Sequence, residues 1–281
     1  MGGGAFPAVL IFVLGTLAAQ AQTYVWNGDG GDGNWSDSSN WVGGIVPDGS
    51  NADVQFTGAG GTINVDGSYT VGTLDLSTAT SSYTLNISGS LTASGVDEGS
   101  SSPNINVVNG GSFDETGASF SAGSLTVSAA SSLILSAGAT FSAGSITVDN
   151  SGTLSLGTDT TLSGATVELD TGSNLSINGG SILDAGTIDV GSSLNLTLGN
   201  ASTFGLSGTY ELLDWNAGTL SSSQLVDTSD FGILQFSGDE LSVEFVPEPP
   251  AALLLALGLA VLAVLCRYPG GRRSACLPGR E

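Results

Sequence analysis

From Phe120 to Leu198 apolar side chains return at a fixed interval of 21 residues. Stepping from Phe120 gives Phe141, Leu162 and Leu183; from Leu125, Ile146, Val167 and Ile188; from Val127, Val148, Leu169 and Val190. Leu133, Leu154, Leu175, Leu196 and Leu135, Leu156, Ile177, Leu198 complete five columns in one register. Within a period, each of two apolar pairs is split by a single residue, the alternation of a strand with one buried face. Turn formers separate the pairs, as in Asp149-Asn150-Ser151-Gly152 and Asp170-Thr171-Gly172-Ser173-Asn174. Each period therefore reads strand, turn, strand, turn. Such a unit cannot bury its face alone, but coils stacked about 4.8 Å apart set each apolar column on the last, with backbone hydrogen bonds between coils. The expected fold is all-β: a right-handed parallel β-helix, a solenoid of 21 residues per coil. A β-sandwich competes but gives no reason for a constant register.

Looser coils extend the stack upstream through Ile105 and Val107, Leu85 and Ile87, and Leu74 and Leu76, so the repeats are assigned to residues 62–203. The Gly/Ser-rich stretch Ser94 to Pro103 reads as a loop bulging from one coil. Small residues at Ser121-Ala122-Gly123 and Ser142-Ala143-Gly144 suit tight corners. The open ends of such a stack expose unpaired strand edges, so the atypical flanks 22–61, rich in Trp, and 204–245 read as capping segments. Trp26-Asn27-Gly28, Asn34-Trp35, Asn40-Trp41 and Pro47, followed by Ala52-Asp53-Val54-Gln55-Phe56, resemble the start of bacterial proteins with autotransporter-associated β-strand repeats. Gly208-Thr209-Tyr210-Glu211-Leu212-Leu213-Asp214-Trp215, with Leu241-Ser242-Val243-Glu244-Phe245, resembles the closing segment of the same group.

Both termini carry export features. The chain is apolar from Ala5 to Ala19, and Ala19-Gln20-Ala21 is a small-x-small pattern, so residues 1–21 read as a signal peptide helix with cleavage at Ala19 and Ala21 and a mature start at Gln22. At the other end Val246-Pro247-Glu248-Pro249 precedes a charge-free run, 251–266, and a tail, 267–281, that holds Arg267, Arg272, Arg273 and Arg280. These are the only basic side chains. An apolar helix followed by arginines enters a bilayer with its basic end held in the cytoplasm. The order of elements resembles the PEP-CTERM sorting signal, whose Pro-Glu-Pro, membrane helix and basic tail are read by exosortases. The resemblance implies an exported bacterial protein, held briefly in the inner membrane and then released to the cell surface or extracellular matrix. Its implied partners are signal peptidase, an exosortase-like processing enzyme and extracellular polysaccharide. An uncleaved C-terminal anchor is the alternative.

Charge narrows the chemistry. Net charge is −22, and residues 22–245 hold every acidic residue except Glu248 and Glu281 and not one Lys, Arg or His. That excludes the electrostatic footprint of a nucleic-acid binder. Cys266 and Cys276 both lie beyond this region, so it has no disulfide and no thiolate metal site. A lyase would need a basic residue to take or polarise a proton. A glycosidase needs two separated carboxylates, but Asp97/Glu98, Asp114/Glu115 and Asp239/Glu240 are adjacent pairs, and strand neighbours point to opposite faces. No catalytic residue is assigned, and the chain reads as a secreted, non-enzymatic structural or adhesive protein. A carbohydrate-binding module is the alternative and a glycan-degrading enzyme the third reading. Trp26, Trp35 and Trp41 are candidate glycan contacts. Asn27, Asp29 and Asp32, in the loop Asn27-Gly28-Asp29-Gly30-Gly31-Asp32-Gly33-Asn34, are candidate calcium ligands, set against a simple polar turn. Glycosylation sequons begin at Asn34, Asn86, Asn174, Asn195 and Asn200.

Overall fold

The structure is a computed structural model that describes residues 20–98, 102–116, 120–199, 204, 208–227 and 232–245. The signal segment through Ala19 and the whole of 246–281, with the sorting motif, the apolar run and the arginines, lie outside the described residues. Among the described residues no helix is long and apolar enough to cross a membrane.

With strands numbered in chain order, one ten-stranded sheet runs β1 (Gln22–Trp26), β2 (Ala52–Phe56), β4 (Ser68–Asp75), β6 (Ser90–Asp97), β8 (Ser112–Glu115), β10 (Ser132–Leu135), β12 (Thr153–Leu156), β14 (Ser173–Ile177), β16 (Leu194–Leu198) and β18 (Leu225–Asp227). The other runs β3 (Gly61–Val65), β5 (Tyr83–Ile87), β7 (Asn104–Val107), β9 (Phe120–Val127), β11 (Thr140–Val148), β13 (Thr161–Leu169), β15 (Ile182–Val190), β17 (Gly208–Thr219), β20 (Glu240–Phe245) and β19 (Ile233–Ser237). The chain alternates between the sheets, so each coil gives one strand to each, and together they form a parallel β-solenoid of about seven turns. Among the described strands, only β17/β20 and β19/β20 pair in antiparallel fashion.

The five apolar columns are hydrogen-bonded registers. Phe120 pairs with Phe141, Phe141 with Leu162 and Leu162 with Leu183. Leu133, Leu154, Leu175 and Leu196 stack likewise in the other sheet. Burial follows strand alternation: in β12 Leu154 and Leu156 are inside, and Thr153 and Ser155 are half-buried on the outer face. A third inward pair accompanies the two read from sequence. In β9 the alternation slips at Gly123-Ser124, which both face outward, so that Phe120 and Ala122 are buried before the bend and Leu125 and Val127 after it. The inward column headed by Ala122 continues as Ala143, Gly164 and Ala185. It stays small because the core is crowded: a Cβ on Gly164 would stand 2.8 Å from Ile146 Cδ1 and 3.0 Å from Val167 Cγ2.

The stretch from Ser94 is not all loop. β6 continues to Asp97, because Val96 is buried against the apolar interior and Asp97 pairs with Asp75 of the preceding coil. A Gly/Ser-rich composition hid the end of a strand, in which Val96 alone supplies the apolar inward contact.

The turns also stack. Asn109, Ala130, Ser151 and Gly172 occupy equivalent corners, each with positive φ, at 54°, 61°, 65° and 80°. Left-handed backbone costs an L-residue about 1–2 kcal/mol through contact of Cβ with the carbonyl, and Asn and Gly tolerate it best.

Two substitutions test this arrangement. Leu154→Ala empties a fully buried position, and the midpoint of urea unfolding should report a loss of about 2–5 kcal/mol, whereas Ser155→Ala on the outer face should stay within about 0.5 kcal/mol. Ala130→Gly should raise stability by about 1 kcal/mol, because relief of the left-handed strain exceeds the added chain entropy; destabilisation would show that the corner is unstrained.

Candidate functional site

The N-terminal end gathers the residues singled out in sequence. Trp41 stands edge-on between its neighbours, with ring centroids 4.9 Å from Trp26 and 4.8 Å from Trp35. Trp35 also meets Phe56 at 6.3 Å and Tyr69 at 5.7 Å. Trp41 Nε1 donates to Trp35 O at 2.8 Å, and Trp35 Nε1 to Pro47 O at 3.4 Å. Only 5 % of Trp26, none of Trp35 and 2 % of Trp41 is exposed. The expectation of an indole platform for glycan is therefore corrected: no ring face of the three is open to stacking. They fill the end of the hollow stack, where burying three large rings contributes more than displaying them.

The same segment covers strand edges. Trp41 bridges Trp26 in antiparallel fashion, and Val42 N donates to Val25 O at 2.9 Å along β1. Asn34 bridges Asn64, with Trp35 N donating to Asn64 O at 2.9 Å and Asn64 N to Gly33 O at 2.8 Å along β3.

The loop from Asn27 to Asn34 closes on its own carboxylates. Asp32 accepts from the Asn34 backbone N–H at 2.9 Å, from Asn34 Nδ2 at 2.9 Å and from Asn40 Nδ2 at 2.7 Å. These bonds, led by the Asn34 backbone N–H, hold the Asp32 carboxyl below its ordinary value. Asp29 accepts from Asn27 Nδ2 at 2.6 Å, and its own N–H donates to Asn27 Oδ1 at 3.2 Å. The structure thus gives Asn27 and Asp29 to one turn and Asp32 to another, each carboxylate already engaged by amide donors. Calcium at these residues would compete with those bonds. Among the described residues no group of three or more Asp, Glu, His or Cys side chains is placed to hold a metal.

Asp32 also ends a chain of side-chain amides that the sequence reading did not find. Asn106 Nδ2 donates to Asn86 Oδ1 at 3.0 Å, Asn86 to Asn64 at 3.3 Å, Asn64 to Asn34 at 3.3 Å, and Asn34 to Asp32. The signal was present: Asn64, Asn86 and Asn106 stand between the paired apolar residues of three successive coils. Two of the sequon asparagines, Asn34 and Asn86, belong to this ladder, and Asn195 Nδ2 donates to Asn174 Oδ1 at 3.0 Å in the other sheet. Asn200 lies outside the described residues.

The acidic pairs do not converge. Asp114 faces outward, its carboxyl pushed up by burial, while Glu115 is fully buried inside the stack. Asp97 is exposed, and Glu98 Oε1 accepts from Ser121 N at 3.0 Å. Glu240 is paired with Asp214 across the β17/β20 ladder, and Asp239 accepts at its carbonyl from Trp215 N at 3.0 Å. Nearby, the Glu211 carboxyl is pushed up by burial first and then by Glu240, Asp214 and Asp184. A shallow groove of about 380 Å³ follows the bend of the later coils past Ser142, Ser163 and Asp184.

Because the Asp32 carboxyl titrates lower folded than unfolded, its stabilisation is present above the unfolded value of 3.8 and is lost as pH falls through the folded value. Asp32→Ala should lower the thermal midpoint at pH 7, and the gap from the parent should close on acidification below 3.8; an equal gap at both pH values would show that the carboxylate is not the anchor. Comparison with protein-family models, with curated proteins and with solved structures gives no significant match.

Proposed function

We propose that this chain is a secreted, non-enzymatic structural or adhesive protein of the bacterial cell surface or extracellular matrix, a right-handed capped rod delivered by an exosortase-type system. The observation that carries the reading is the outward surface of the stack. Between buried columns stand Asn64, Asn86, Asn106, Thr126 and Thr147 on one sheet, and Ser90, Ser112, Ser132 and Thr153 on the other. Short hydroxyl and amide groups repeated coil after coil form a regular wetted face suited to lying against polymer. The absence of Lys, Arg and His from residues 22–245 supports partners other than nucleic acid.

Delivery rests on the termini: signal peptidase at Ala19 and Ala21, then an exosortase-like enzyme at Val246-Pro247-Glu248-Pro249, with Arg267, Arg272 and Arg273 fixing orientation. Gln22, the expected mature start, is also the first residue of β1. Extracellular polysaccharide is the expected neighbour once the rod is released.

Intact-mass and peptide mass spectrometry of the protein from cells and medium tests this. The expected termini lie near Gln22 and near Pro247-Glu248-Pro249. A mature chain that retains Arg272 and Arg273 would be a helix-anchored envelope protein and would remove the exosortase from the account.

A further inference from the structure

Among the described strands, β1, β18, β3 and β19 end the two sheets, and the first three carry protection against stray pairing. β1 is covered by the segment of Trp41 and Val42, and β3 by that of Asn34 and Trp35. β18 is three residues long and closes on Asp227. β19 has none of these devices. Its five residues, Ile233-Leu234-Gln235-Phe236-Ser237, include no charge, no Pro and no Gly, and they pair one for one with β20 without a bulge. Among the described residues no strand lies beyond it. An uncharged edge of this kind offers its outer backbone N–H and C=O groups to another strand.

Apolar side chains are left open in the same place. Phe236 stands opposite the fully buried Leu241 on the inward side yet is 36 % exposed, and Leu234, opposite Val243, is only half-buried. Ile233, on the outer side, is 57 % exposed. The packing that runs coil on coil therefore stops at β19 with its side chains partly covered. Charge decides what completes it. Net charge is −22 and residues 22–245 hold no base, so two copies repel across most of their surface. At β19 the carboxylates stand one strand back, on Glu240 and Glu244, and Glu244 accepts from Gln235 Nε2. A basic partner would be drawn to the acidic columns instead. The complement of an uncharged apolar edge is another such edge, and among the described strands β19 is the one sheet end that is both uncharged and uncovered.

We propose that β19 pairs antiparallel with β19 of a second copy, joining two rods tail to tail. A two-fold through Gln235 overlaps all five residues, setting Ile233 opposite the partner's Ser237 and Leu234 opposite the partner's Phe236. Because that axis is normal to the sheet, the inward faces of both copies fall on the same side, so the two apolar interiors meet and the N-terminal caps point away. The contact is isologous and closes at two copies, so it does not run on into a fibre. Five residues bury less than a standard interface, so the pairing belongs to the weak class and depends on crowding of the chains at one surface. It takes that crowding from the surface-protein reading and goes beyond it in naming a second copy as the partner.

Disulfide trapping with diamide in the producing cells tests the pairing, on full chains whose Cys266 and Cys276 are replaced by Ser so that no other thiol remains. Residues paired on the two-fold have Cα atoms about 5 Å apart, within reach of a disulfide, so Gln235→Cys should give a covalent dimer. Ser237→Cys should give about tenfold less, because its two copies stand about 13 Å apart along the strands. Chains carrying Ser237→Cys and Ile233→Cys, made together, should cross-link again. All three positions are exposed, and each variant should keep the parent's thermal midpoint. A Gln235→Cys chain that stays monomeric, equal dimer from Gln235→Cys and Ser237→Cys, or a Gln235→Cys adduct with the mass of a different protein each overturns the pairing. Cell fractionation separates this from the surface-protein reading: a surface-exposed chain that stays monomeric sinks the pairing alone, whereas a chain found only inside cells sinks the surface reading whatever the gel shows.

Discussion

Everything in this rod follows from where its backbone hydrogen bonds go. A strand within a coil finds its partners in the coils before and after it, so a residue's neighbours lie one period away along the chain. Side chains must then be compatible with near copies of themselves. Inside, that is easily met, because Leu on Leu is as good as any apolar contact. Outside, it sets a limit, because directly opposed like charges repel and residues 22–245 have no base to relieve them. Asp75 faces Asp97, Glu168 faces Asp189 and Asp184 faces Asp214. The upward push on Glu211, from burial and then from Glu240, Asp214 and Asp184, is the local cost. Elsewhere acidic columns give way to Ser, Thr and Asn, whose side chains can donate to and accept from their own kind. The ladder from Asn106 to Asn34 is the extended case, and its polarity is fixed by a terminal carboxylate that can only accept.

A repeat of this kind has no internal reason to stop, so both ends are handled by chemistry foreign to it. At the start, indoles fill the interior, and the segments around Trp35 and Trp41 cover the edges of β3 and β1. At the finish, Trp215 follows Ala185 in the inward column, and Phe204, Tyr210 and Phe245 pack with centroids 5.2 to 5.7 Å apart. There the direction of the chain also changes, since β20 runs antiparallel to β17 and β19 antiparallel to β20. An antiparallel hairpin cannot seed another parallel coil.

What was legible in the sequence was whatever the 21-residue register imposes on large apolar residues. The columns headed by Phe120, Leu125, Val127, Leu133 and Leu135 all reappear as paired registers. The small inward column from Ala122 to Ala185 was not legible, because Ala and Gly carry little hydrophobic signal and its burial depends on the bend at Gly123. Val96 was lost in a Gly/Ser-rich context for a related reason. The fate of Trp26, Trp35 and Trp41 was not legible either, since an exposed aromatic row and a buried plug have the same composition. Asn27, Asp29 and Asp32 look like cation ligands because the oxygens that suit calcium also close Asx turns; which donors reach them is a property of Asn34 and Asn40.

The axial hydrogen bonding has a mechanical meaning as well. A tension applied between the two ends of the stack is carried by its coil interfaces in series, while the bonds within any one interface share the load in parallel. The weakest interface then sets the strength of the whole. Among the described residues, β2 and β4 share two paired residues and β16 and β18 three, where β11 and β13 share eight. The sparse ladders thus stand toward the two ends of the stack, and the longer-stranded coils between them spread the load over the most bonds.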